Sequence, residues 1–581
     1  EFRFQGAAGL DELETVLYAE PDIEQQRIIW NVHVQTAGAE LLALSLADLP
    51  LRPAPDQTLF YPKGEGAVLR DAFDYRPALR FVYPSQLYTM PFLALYPESL
   101  PSRRKGIYFA VLDHEAVSKE LYADHRESDG SISLAIRAHT DSIQVCWQLF
   151  EGDWYTATQI YREWLEQNAG WMRHRLHTRP EWFHNIALWL NVSALSPGWD
   201  EQVIRIHSEL GVPVGVHLYH WHQIPFDDDY PHYLPAREGV AEAIQRLHQA
   251  GVRVMPYING RLWDLRDRGP EDGEFTAVAR PSACQRRDGS LFTESYASRE
   301  TDGSRVVLAV MCPSQPVWVN TLRSVVTQIC AELDADGVYM DQIAAAPQAP
   351  CHCSTHNHVP GFGGWWVESY RRLMEEIYKV LPPDKVLTTE SNAEPYVDMV
   401  DGMLVWNSQY PGAVPAFPIL YGNSVTLFGR AYPDENDLQT TCATLAQQLV
   451  FGEQPGWFSE KILTQPHFDF VREVVLLRTR LAPLLREMQM CRPLTLPGGS
   501  PQGMLMGWFP QASLFSHLHN GIYADKAGNR VLIILCNTGI KEFSISLSDL
   551  AEKCGVKQKF QTLLLRGGCP DRPLREDEPF C

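Results

Sequence analysis

Residues 337–341 read GVYMD and residues 386–390 read VLTTE, two short apolar or β-branched runs that each end in a single carboxylate. A buried parallel strand is typically such a run, and the residue at its carboxyl end faces the open mouth of an α/β barrel. Two neighbouring strands of this kind would bring Asp341 and Glu390 together at that mouth. A pair of carboxyl groups is what cleavage of a glycosidic bond requires.

Strand-like and helix-like segments alternate on both sides of these runs, from about residue 182 to residue 487. Such alternation indicates βα units around a parallel sheet. Six strands stand out, and we expect the last two within Phe417–Phe428 and Leu449–Gly452. The count approaches the eight strands that close a (β/α)8 barrel, and it places Asp341 on the fourth strand and Glu390 on the fifth.

The segments before and after the predicted barrel have a different texture. Residues 1–175 consist of short alternating runs separated by turn residues, which is typical of an antiparallel β-sandwich, and strand-like runs return after residue 487. A chain of 581 residues is also too long for one core. We therefore predict an α/β protein with an N-terminal β-sandwich (1–175), a catalytic (β/α)8 barrel (182–487) and a small C-terminal β-sandwich (488–581).

Charge and composition limit the partners of the chain. The formal net charge of −21 argues against binding to nucleic acid or to an anionic membrane surface. No apolar run reaches the ~18 residues that suggest a membrane span. We expect an oligosaccharide or glycoside as the partner, with the oligomeric state left open. The twelve scattered cysteines and the absence of a signal-peptide pattern at the N-terminus favour a cytoplasmic location.

The two strand-end carboxylates suit different tasks in a retaining mechanism. One must attack the anomeric carbon, and the other must donate a proton to the leaving oxygen and then act as a base towards water. The shorter Asp341 is the candidate nucleophile, and the longer Glu390 is the candidate acid/base. Either could instead cap a following helix. Glu394 is a second candidate for the acid.

Polar and aromatic residues follow the other predicted strands, as a ligand with hydroxyl groups and apolar faces requires. Core packing, helix caps and solvated loops are the alternative interpretations, and the two arginines among these residues could pair with carboxylates instead of an acidic substrate group. The candidate substrate-binding residues are His220, Trp221, Asn259, Arg261, Trp263, Asp264, His356, His358, Trp365, Trp406 and Arg430.

The loop after Asp341 contains two cysteines and three histidines within residues 351–358. These residue types ligate zinc, but Cys-x-Cys next to His-x-His is too tight for a standard four-ligand clip. We therefore expect no metal and no other cofactor, and we interpret the loop as substrate-binding, with its glycines letting the backbone approach the ligand. A metal-dependent hydrolase that uses this loop is the alternative.

Four segments resemble a poorly characterised bacterial family of glycoside-hydrolase-like TIM-barrel proteins: residues 256–264 (PYINGRLWD), 337–343, 356–358 and 388–396 (TTESNAEPY). That family is distantly similar to the endo-α-N-acetylgalactosaminidases, which carry an Asp on the fourth strand and a Glu on the fifth. The resemblance implies a retaining glycoside hydrolase that cleaves an α-linked sugar by double displacement, with Asp341 as nucleophile and Glu390 as acid/base.

One segment departs from the pattern of this family: residues 351–353 read CHC, whereas the family has Tyr and Asp after the cysteine. The carboxylates could also be structural, and the chain would then be a non-catalytic carbohydrate-binding barrel protein.

Overall fold

The computed structural model of the chain describes most residues between 1 and 574. The described ranges are 1–7, 10–35, 43–75, 78–86, 88–98, 105–173, 175–269, 271–408, 412–432, 437–495, 503–506, 512–515, 517–539, 545–554, 562–566 and 569–574. Within these ranges, every helix is too short or too polar to cross a bilayer.

Two antiparallel sheets form the part of the chain before residue 151. Their strands are β1 (Phe2–Ala7), β2 (Leu10–Asp22), β3 (Arg27–Gln35), β4 (Leu44–Leu51), β5 (Gln57–Tyr61), β6 (Ala67–Leu69), β7 (Ala78–Tyr83), β8 (Phe92–Pro97), β9 (Gly106–Val111), β10 (Lys119–His125), β11 (Ile132–Ala138) and β12 (Ser142–Phe150). The larger sheet has the order β1-β2-β3-β12-β9-β8-β5-β6, and the smaller has the order β4-β11-β10-β7. Alternate residues of β10 and β11 are buried, because successive side chains of a strand point to opposite faces.

Eight parallel strands then form a nearly closed barrel, and three short antiparallel strands form a small sheet inserted between its third and fourth strands. The inserted strands are β16 (Leu262–Asp264), β17 (Thr293–Glu294) and β18 (Leu308–Val310). The barrel strands are β13 (Leu188–Ser193), β14 (Val214–Tyr219), β15 (Arg253–Asn259), β19 (Gly337–Asp341), β20 (Val386–Glu390), β21 (Gly402–Leu404), β22 (Thr426–Phe428) and β23 (Gly456–Phe458). The barrel order is β22-β21-β20-β19-β15-β14-β13-β23.

Helices connect and flank these strands. Before the barrel lie α1 (Ala72–Tyr75), α2 (Trp154–Asn168) and α3 (Glu181–Asn185), and within it lie α4 (Trp199–Leu210), α5 (Val240–Gln249), α6 (Pro316–Glu332), α7 (Trp365–Tyr378), α8 (Ala416–Tyr421), α9 (Leu438–Val450) and α10 (Phe468–Glu487). Helix α4 ends at Gly211, whose φ of 64° lies in the left-handed region that favours glycine. The chain can therefore turn directly into β14.

The predicted eighth strand was wrong. Leu449–Gly452 contains the end of α9, and the eighth barrel strand is Gly456–Phe458. Helix α9 is buried along most of its length, and periodicity cannot separate such an apolar run from a buried strand. The seventh strand, Thr426–Phe428, does lie within the predicted Phe417–Phe428 range.

The last part of the chain is again antiparallel where it is described. It contains β24 (Gln489–Met490), β25 (Gly503–Met506), β26 (Ala512–Phe515), β27 (Leu518–Ala524), β28 (Val531–Asn537), α11 (Leu547–Lys553), β29 (Thr562–Arg566) and β30 (Cys569–Leu574). Tyr523 of β27 donates a hydrogen bond to the carbonyl oxygen of Val450 at 2.8 Å, which ties this region to α9. The predicted domain boundaries at residues 175 and 487 stay predictions.

A buried arginine, Arg430, lies at the seam where the barrel closes. A parallel bridge between Phe428 and Gln454 joins β22 to the segment before β23. Directly after it, the fully buried Arg430 pairs with Glu453 and, at 2.7 Å, with Glu65 of the loop between β5 and β6. The guanidinium group of Arg430 therefore connects the closing seam to the N-terminal sheets.

We expect Arg430→Met to destabilise the fold strongly, because it leaves two buried carboxylates without their counter-charge, a loss of about 3–5 kcal/mol. Thermal unfolding measures this, with an expected drop in Tm of about 2–4 °C. Arg372→Met is the matched control, since the Arg372 side chain is 73% exposed and pairs with Glu368 at the surface of α7. Equal Tm values for the two variants would contradict this account of the closure.

Candidate functional site

The register of the barrel sets Asp341 and Glu390 side by side. Residues 337–340 of β19 pair with residues 386–389 of β20 at a constant offset of 49, so Asp341 and Glu390 occupy equivalent positions at the ends of the two strands. Neighbouring strands lie about 4.8 Å apart, and side chains at equivalent positions point to the same face. Both residues are partly exposed at the barrel mouth.

Two tyrosine hydroxyls hold the carboxylate of Asp341. Tyr257 of β15 donates to Oδ2 at 3.0 Å, and Tyr339, two residues earlier on the same face of β19, donates to Oδ1 at 3.2 Å. Burial raises the pKa of Asp341, while hydrogen bonds from Glu390 and the two tyrosines oppose that rise. The hydroxyls therefore favour the ionised form of Asp341 and fix both of its oxygens.

The carboxyl group of Glu390 is in a different environment. Burial and the negative charge of Asp341 raise the pKa of Glu390 well above its usual range, and a hydrogen bond between the two carboxyl groups adds to the effect. The indole Nε1 of Trp406 donates to Glu390 Oε1 at 2.7 Å and acts in the opposite direction. These environments favour the proton of the pair on Glu390 over Asp341.

A third carboxylate, Asp227, belongs to the same site. Burial and the charge of Asp341 raise the pKa of Asp227 to about 6. Its Oδ1 accepts a hydrogen bond from Tyr230 at 3.3 Å. The partly exposed Tyr219 lies close enough to Asp341, Glu390 and Asp227 for all three charges to raise its pKa.

Aromatic rings line the rest of the site. Tyr219 stacks on Tyr257 with ring centroids 4.9 Å apart, and Trp457 of β23 lies 5.9 Å from Tyr219. Phe226 packs 5.1 Å from Tyr257. Aromatic faces next to carboxylates are suited to a ligand that carries both hydroxyl groups and apolar C–H faces.

The backbone is strained directly after three of the barrel strands. His220 follows β14, Gln342 follows β19 and Ser391 follows β20, and their φ angles are 54°, 68° and 57°. Non-glycine residues in this region cost of order 1–3 kcal/mol each and cluster at functional sites. The strain therefore marks the same end of the barrel as the carboxylates.

The N-terminal sheets contribute one wall of the mouth. Gln86, in the loop after β7, accepts hydrogen bonds at 3.0 Å from Ser391 and from Asn407. Its backbone N–H donates to the carbonyl of Ala345. One residue from outside the barrel thus joins the loops that follow Asp341, Glu390 and Trp406.

Some of the predicted substrate-binding residues lie at the mouth. Trp406 contacts Glu390 directly, as described above. His220 is partly exposed at the end of β14, where its Nδ1 lies 3.0 Å from the hydroxyl of Ser193. Their contacts with a substrate stay predictions.

Other predicted substrate-binding residues are buried and engaged within the protein. Trp221 donates to the carbonyl of Tyr257 at 2.8 Å, and Trp263 donates to Asp267 at 2.9 Å. Arg261 pairs with Glu294 at 3.0 Å. These three residues are exposed by 2% or less, so they offer almost no surface to a ligand in this conformation.

Asn259 and Asp264 hold turns of the backbone. Asn259 is level with Asp341 in the next strand, but its Oδ1 accepts from the N–H groups of Arg261 and Leu262. Asp264 accepts from the N–H of Asp229 at 2.8 Å. Both roles fit the helix-cap and turn chemistry that the sequence left open.

Arg430 and Glu394 are structural in this conformation. Arg430 lies in the closing seam and pairs with carboxylates of the protein, so the expectation that it binds an acidic substrate group does not fit its complete burial. Glu394, the second candidate acid, is buried and accepts hydrogen bonds from three tyrosines that anchor the N-terminal sheets and helices to the barrel. Those tyrosines are Tyr83, Tyr161 and Tyr421.

The loop residues His356, His358 and Trp365 lie together, in a separate cluster. His358 stacks on Trp365 with centroids 3.6 Å apart and an angle of 4°. His356 and His358 meet two cysteines instead of the Asp341–Glu390 pair. Elsewhere, the three carboxylates Asp228, Asp264 and Glu300 lie close enough together to hold a cation, and Glu300 already pairs with Arg266 at 3.1 Å.

Sequence reasoning missed several residues of the site. Tyr339 and Tyr257 could have been found by strand alternation, since each lies two residues before a strand-end polar residue. Trp457 was missed because the eighth strand was misplaced. Asp227 lies in a loop, where no periodic signal exists.

Comparison with protein-family models gives one match. A model described as "Domain of unknown function (DUF6259)" matches residues 139–432, about half of the 581 residues. This range runs from the end of β11 to shortly after β22, and it includes Asp341 and Glu390. The resemblance to a poorly characterised family of glycoside-hydrolase-like proteins is thereby confirmed, together with the relatives below.

Two curated relatives carry glycosidase names. A protein of Bacteroides thetaiotaomicron named "Putative glycoside hydrolase" is 33% identical over 418 residues, which are 68% of this chain and 59% of that protein. A protein of Monosiga brevicollis named "Putative glycoside hydrolase 22789" is 30% identical over 482 residues, which are 74% of this chain and 39% of that protein. The chain thus spans less than two thirds of the length of either relative.

Solved structures of glycosidases share the fold. The α-N-acetylgalactosaminidase NagBb from Bifidobacterium bifidum has a TM-score of 0.64 at 14% identity, covering 90% of this chain and 86% of NagBb. The GH36 α-galactosidase AgaA from Geobacillus stearothermophilus has a TM-score of 0.50 at 11% identity, covering 90% and 73%. Likeness at these identities concerns the fold alone.

The electrostatic coupling of the pair can be tested without a substrate. In Asp341→Asn the charge that raises the pKa of Glu390 is absent, so the Glu390 pKa should fall towards its usual range. Difference infrared spectroscopy between pH values would then show the protonated-carboxyl band of Glu390 disappearing at lower pH than in the wild type. Asp469→Asn, at an exposed position of α10, is the control and should leave that titration unchanged. An unchanged Glu390 titration in Asp341→Asn would contradict the coupling.

Proposed function

We propose that this chain, which belongs to the DUF6259 family, is a retaining glycoside hydrolase that cleaves an α-linked sugar, with Asp341 as nucleophile and Glu390 as acid/base. The observation that carries the proposal is the pair of carboxyl groups at equivalent positions at the ends of β19 and β20, where two tyrosine hydroxyls favour the ionised form of Asp341 while burial and the charge of Asp341 favour the protonated form of Glu390. The glycosidase names of the relatives support the reaction class. The α-linkage rests on the likeness to α-glycosidases of the same fold.

The first step uses the two groups in opposite senses. An oxygen of Asp341 attacks the anomeric carbon while Glu390 transfers its proton to the glycosidic oxygen, so the C–O bond breaks and the leaving group departs as an alcohol. The sugar is then bound to Asp341 as an ester. Tyr257 and Tyr339 orient the attacking carboxylate, since each donates to one of its oxygens.

The second step returns the enzyme to its starting state. Glu390, now ionised, accepts a proton from water, whose oxygen bonds to the anomeric carbon as the ester to Asp341 breaks. Two inversions give net retention. An inverting enzyme needs room for water between its carboxyl groups, about 6.5–9.5 Å, whereas a retaining enzyme has them about 5–5.5 Å apart. Side chains at equivalent positions of neighbouring strands, which lie about 4.8 Å apart, favour the shorter separation and hence retention.

The proposed substrate is a sugar or oligosaccharide whose ring packs on Tyr219, Trp406 or Trp457. Asp227 would accept hydrogen bonds from substrate hydroxyl groups near the anomeric carbon. We propose that an N-terminal β-sandwich, residues 1–175, supplies the wall at Gln86, and that residues 488–581 form a second, smaller sandwich.

We expect a panel of aryl α- and β-glycosides to contain an α-glycoside that the wild type cleaves, with NMR showing the α-anomer released first. Asp341→Asn should fall to background with that substrate. Glu390→Gln should lose about 10²–10⁴-fold in kcat/KM, and less when the leaving group is a good one that needs no protonation. Asp469→Asn and Glu201→Gln, at exposed helix positions, should match the wild type.

A carbohydrate-binding barrel without catalysis would give a different result. The wild type would then bind sugars but cleave no glycoside of the panel. Asp341→Asn and Glu390→Gln would alter only the affinity for the sugar. Release of the β-anomer first from an α-glycoside would instead contradict retention.

The pH dependence tests the role of Glu390. Activity should fall at high pH as Glu390 loses its proton, and the hydrogen bond from Trp406 lowers the Glu390 pKa. Trp406→Phe removes that bond and should move the basic limb of the kcat/KM profile to higher pH. Trp182→Phe, whose indole donates to the carbonyl of Asp384, is the control and should leave the profile in place. A shift of the Trp406→Phe limb to lower pH would contradict the role.

A further inference from the structure

Four metal-ligating side chains meet in the loop after Asp341. Cys351, His356 and His358 come from that loop, and Cys312 comes from the segment after β18, in the inserted sheet. One ligand atom of each residue lies within 4.8 Å of the other three. Cys312, Cys351 and His356 are buried, and His358 is partly exposed.

The distances within the cluster suit a tetrahedral ion. Cys312 Sγ lies 3.4 Å from His358 Nε2, and Cys351 Sγ lies 3.3 Å from His356 Nδ1. Zinc–sulfur bonds of about 2.3 Å and zinc–nitrogen bonds of about 2.0–2.1 Å imply a sulfur–nitrogen separation of ~3.5 Å in a tetrahedron. Little rearrangement is needed to fit the ion.

The backbone orients both imidazoles towards the sulfurs. His356 Nε2 lies 2.8 Å from the carbonyl oxygen of Pro281, and His358 Nδ1 lies 2.8 Å from the carbonyl oxygen of Val359. A carbonyl only accepts, so each of these nitrogens carries an N–H. In a neutral ring the opposite nitrogen then presents its lone pair to the cluster, which is how the outer contacts of zinc-bound histidines are arranged.

The ligand chemistry selects zinc among common ions. Two thiolates and two imidazoles are soft and intermediate ligands, which suit Zn²⁺ and not Ca²⁺ or Mg²⁺. Two thiolates also neutralise the ion, so the cluster can be buried without net charge. Burial, followed by Cys312 and Cys351, raises the pKa of the Cys284 thiol, so Cys284 lies beside the two ligand sulfurs.

We propose that Cys312, Cys351, His356 and His358 bind a structural zinc ion that fastens the loop after Asp341 to the inserted sheet. With four protein ligands the ion has no open position, so the site is structural and not catalytic. The sequence did not reveal it because Cys353, which lies in the same loop, is not a ligand, and the fourth ligand lies 39 residues before Cys351 in the chain. The thiol of Cys353 instead contacts the hydroxyl of Thr355 at 3.1 Å.

The inserted sheet links this cluster to the residue that follows Asp341. From the inserted sheet, Tyr296 accepts a hydrogen bond from Gln342, the residue after Asp341, and donates one to Glu294 at 2.6 Å. His358 stacks on Trp365 at the start of α7. Zinc would thus hold both segments that border Asp341, independently of the reaction that the pair performs.

The test is the metal content of the full chain, purified with an affinity tag that contains no histidine. Elemental analysis should find about one zinc per chain, and X-ray absorption at the zinc edge should find two sulfurs at about 2.3 Å and two nitrogens at about 2.0–2.1 Å. Cys351→Ser and His356→Ala should each lower the zinc content at least ~10-fold, whereas Cys353→Ser, in the same loop, should retain it.

The absorption measurement on the wild type keeps the proposal falsifiable even if the variants fail to fold. Wild-type protein that contains no zinc and takes up none from zinc-supplemented buffer would overturn the proposal. A shell of three sulfurs and one nitrogen would overturn the ligand assignment, since Cys284 would then replace a histidine. Loss of zinc from Cys353→Ser would overturn it as well.

Discussion

Asp341 and Glu390 stand at equivalent positions on the neighbouring strands β19 and β20, and the negative charge of Asp341 opposes ionisation of Glu390. The surrounding barrel makes the two carboxyl groups unequal. Tyrosine hydroxyls from β15 and β19 favour the charge on Asp341, and that charge in turn raises the pKa of Glu390. The two carboxyl groups therefore occupy equivalent positions on neighbouring strands but differ in acidity, because their surroundings differ.

The parts of the chain outside the barrel serve the same site. Arg430 joins the closing seam to Glu65, and Glu394 joins the end of β20 to three tyrosines, two of which come from β7 and α2. Gln86 then reaches the loops at the mouth. Buried ionic contacts of this kind are costly when one partner is lost, so the position of the mouth depends on the N-terminal sheets.

Much of the barrel could be predicted from sequence because buried parallel strands are short, apolar and followed by polar residues at one end. This pattern identified β19 and β20 with their carboxylates. It failed for Gly456–Phe458, a strand of three residues preceded by a buried helix, because length and periodicity carry too little signal there.

The contacts of the individual side chains were harder to predict. Trp221 and Arg261 have the residue types of a sugar site but are buried with protein partners. Residue type and chain position cannot distinguish a side chain at the mouth from one beneath it. The Cys312 cluster needs a contact between segments 39 or more residues apart, which a single sequence does not reveal.

The most direct measurement is the identity of the residue that becomes covalently bound to the sugar. A panel of 5-fluoro-α-glycosyl fluorides should trap the intermediate, and mass spectrometry of peptides should find one sugar on Asp341. The account predicts that label, together with its absence in Asp341→Asn. A label on Glu390 or Asp227, or turnover of the fluorides without any labelled peptide, would contradict it.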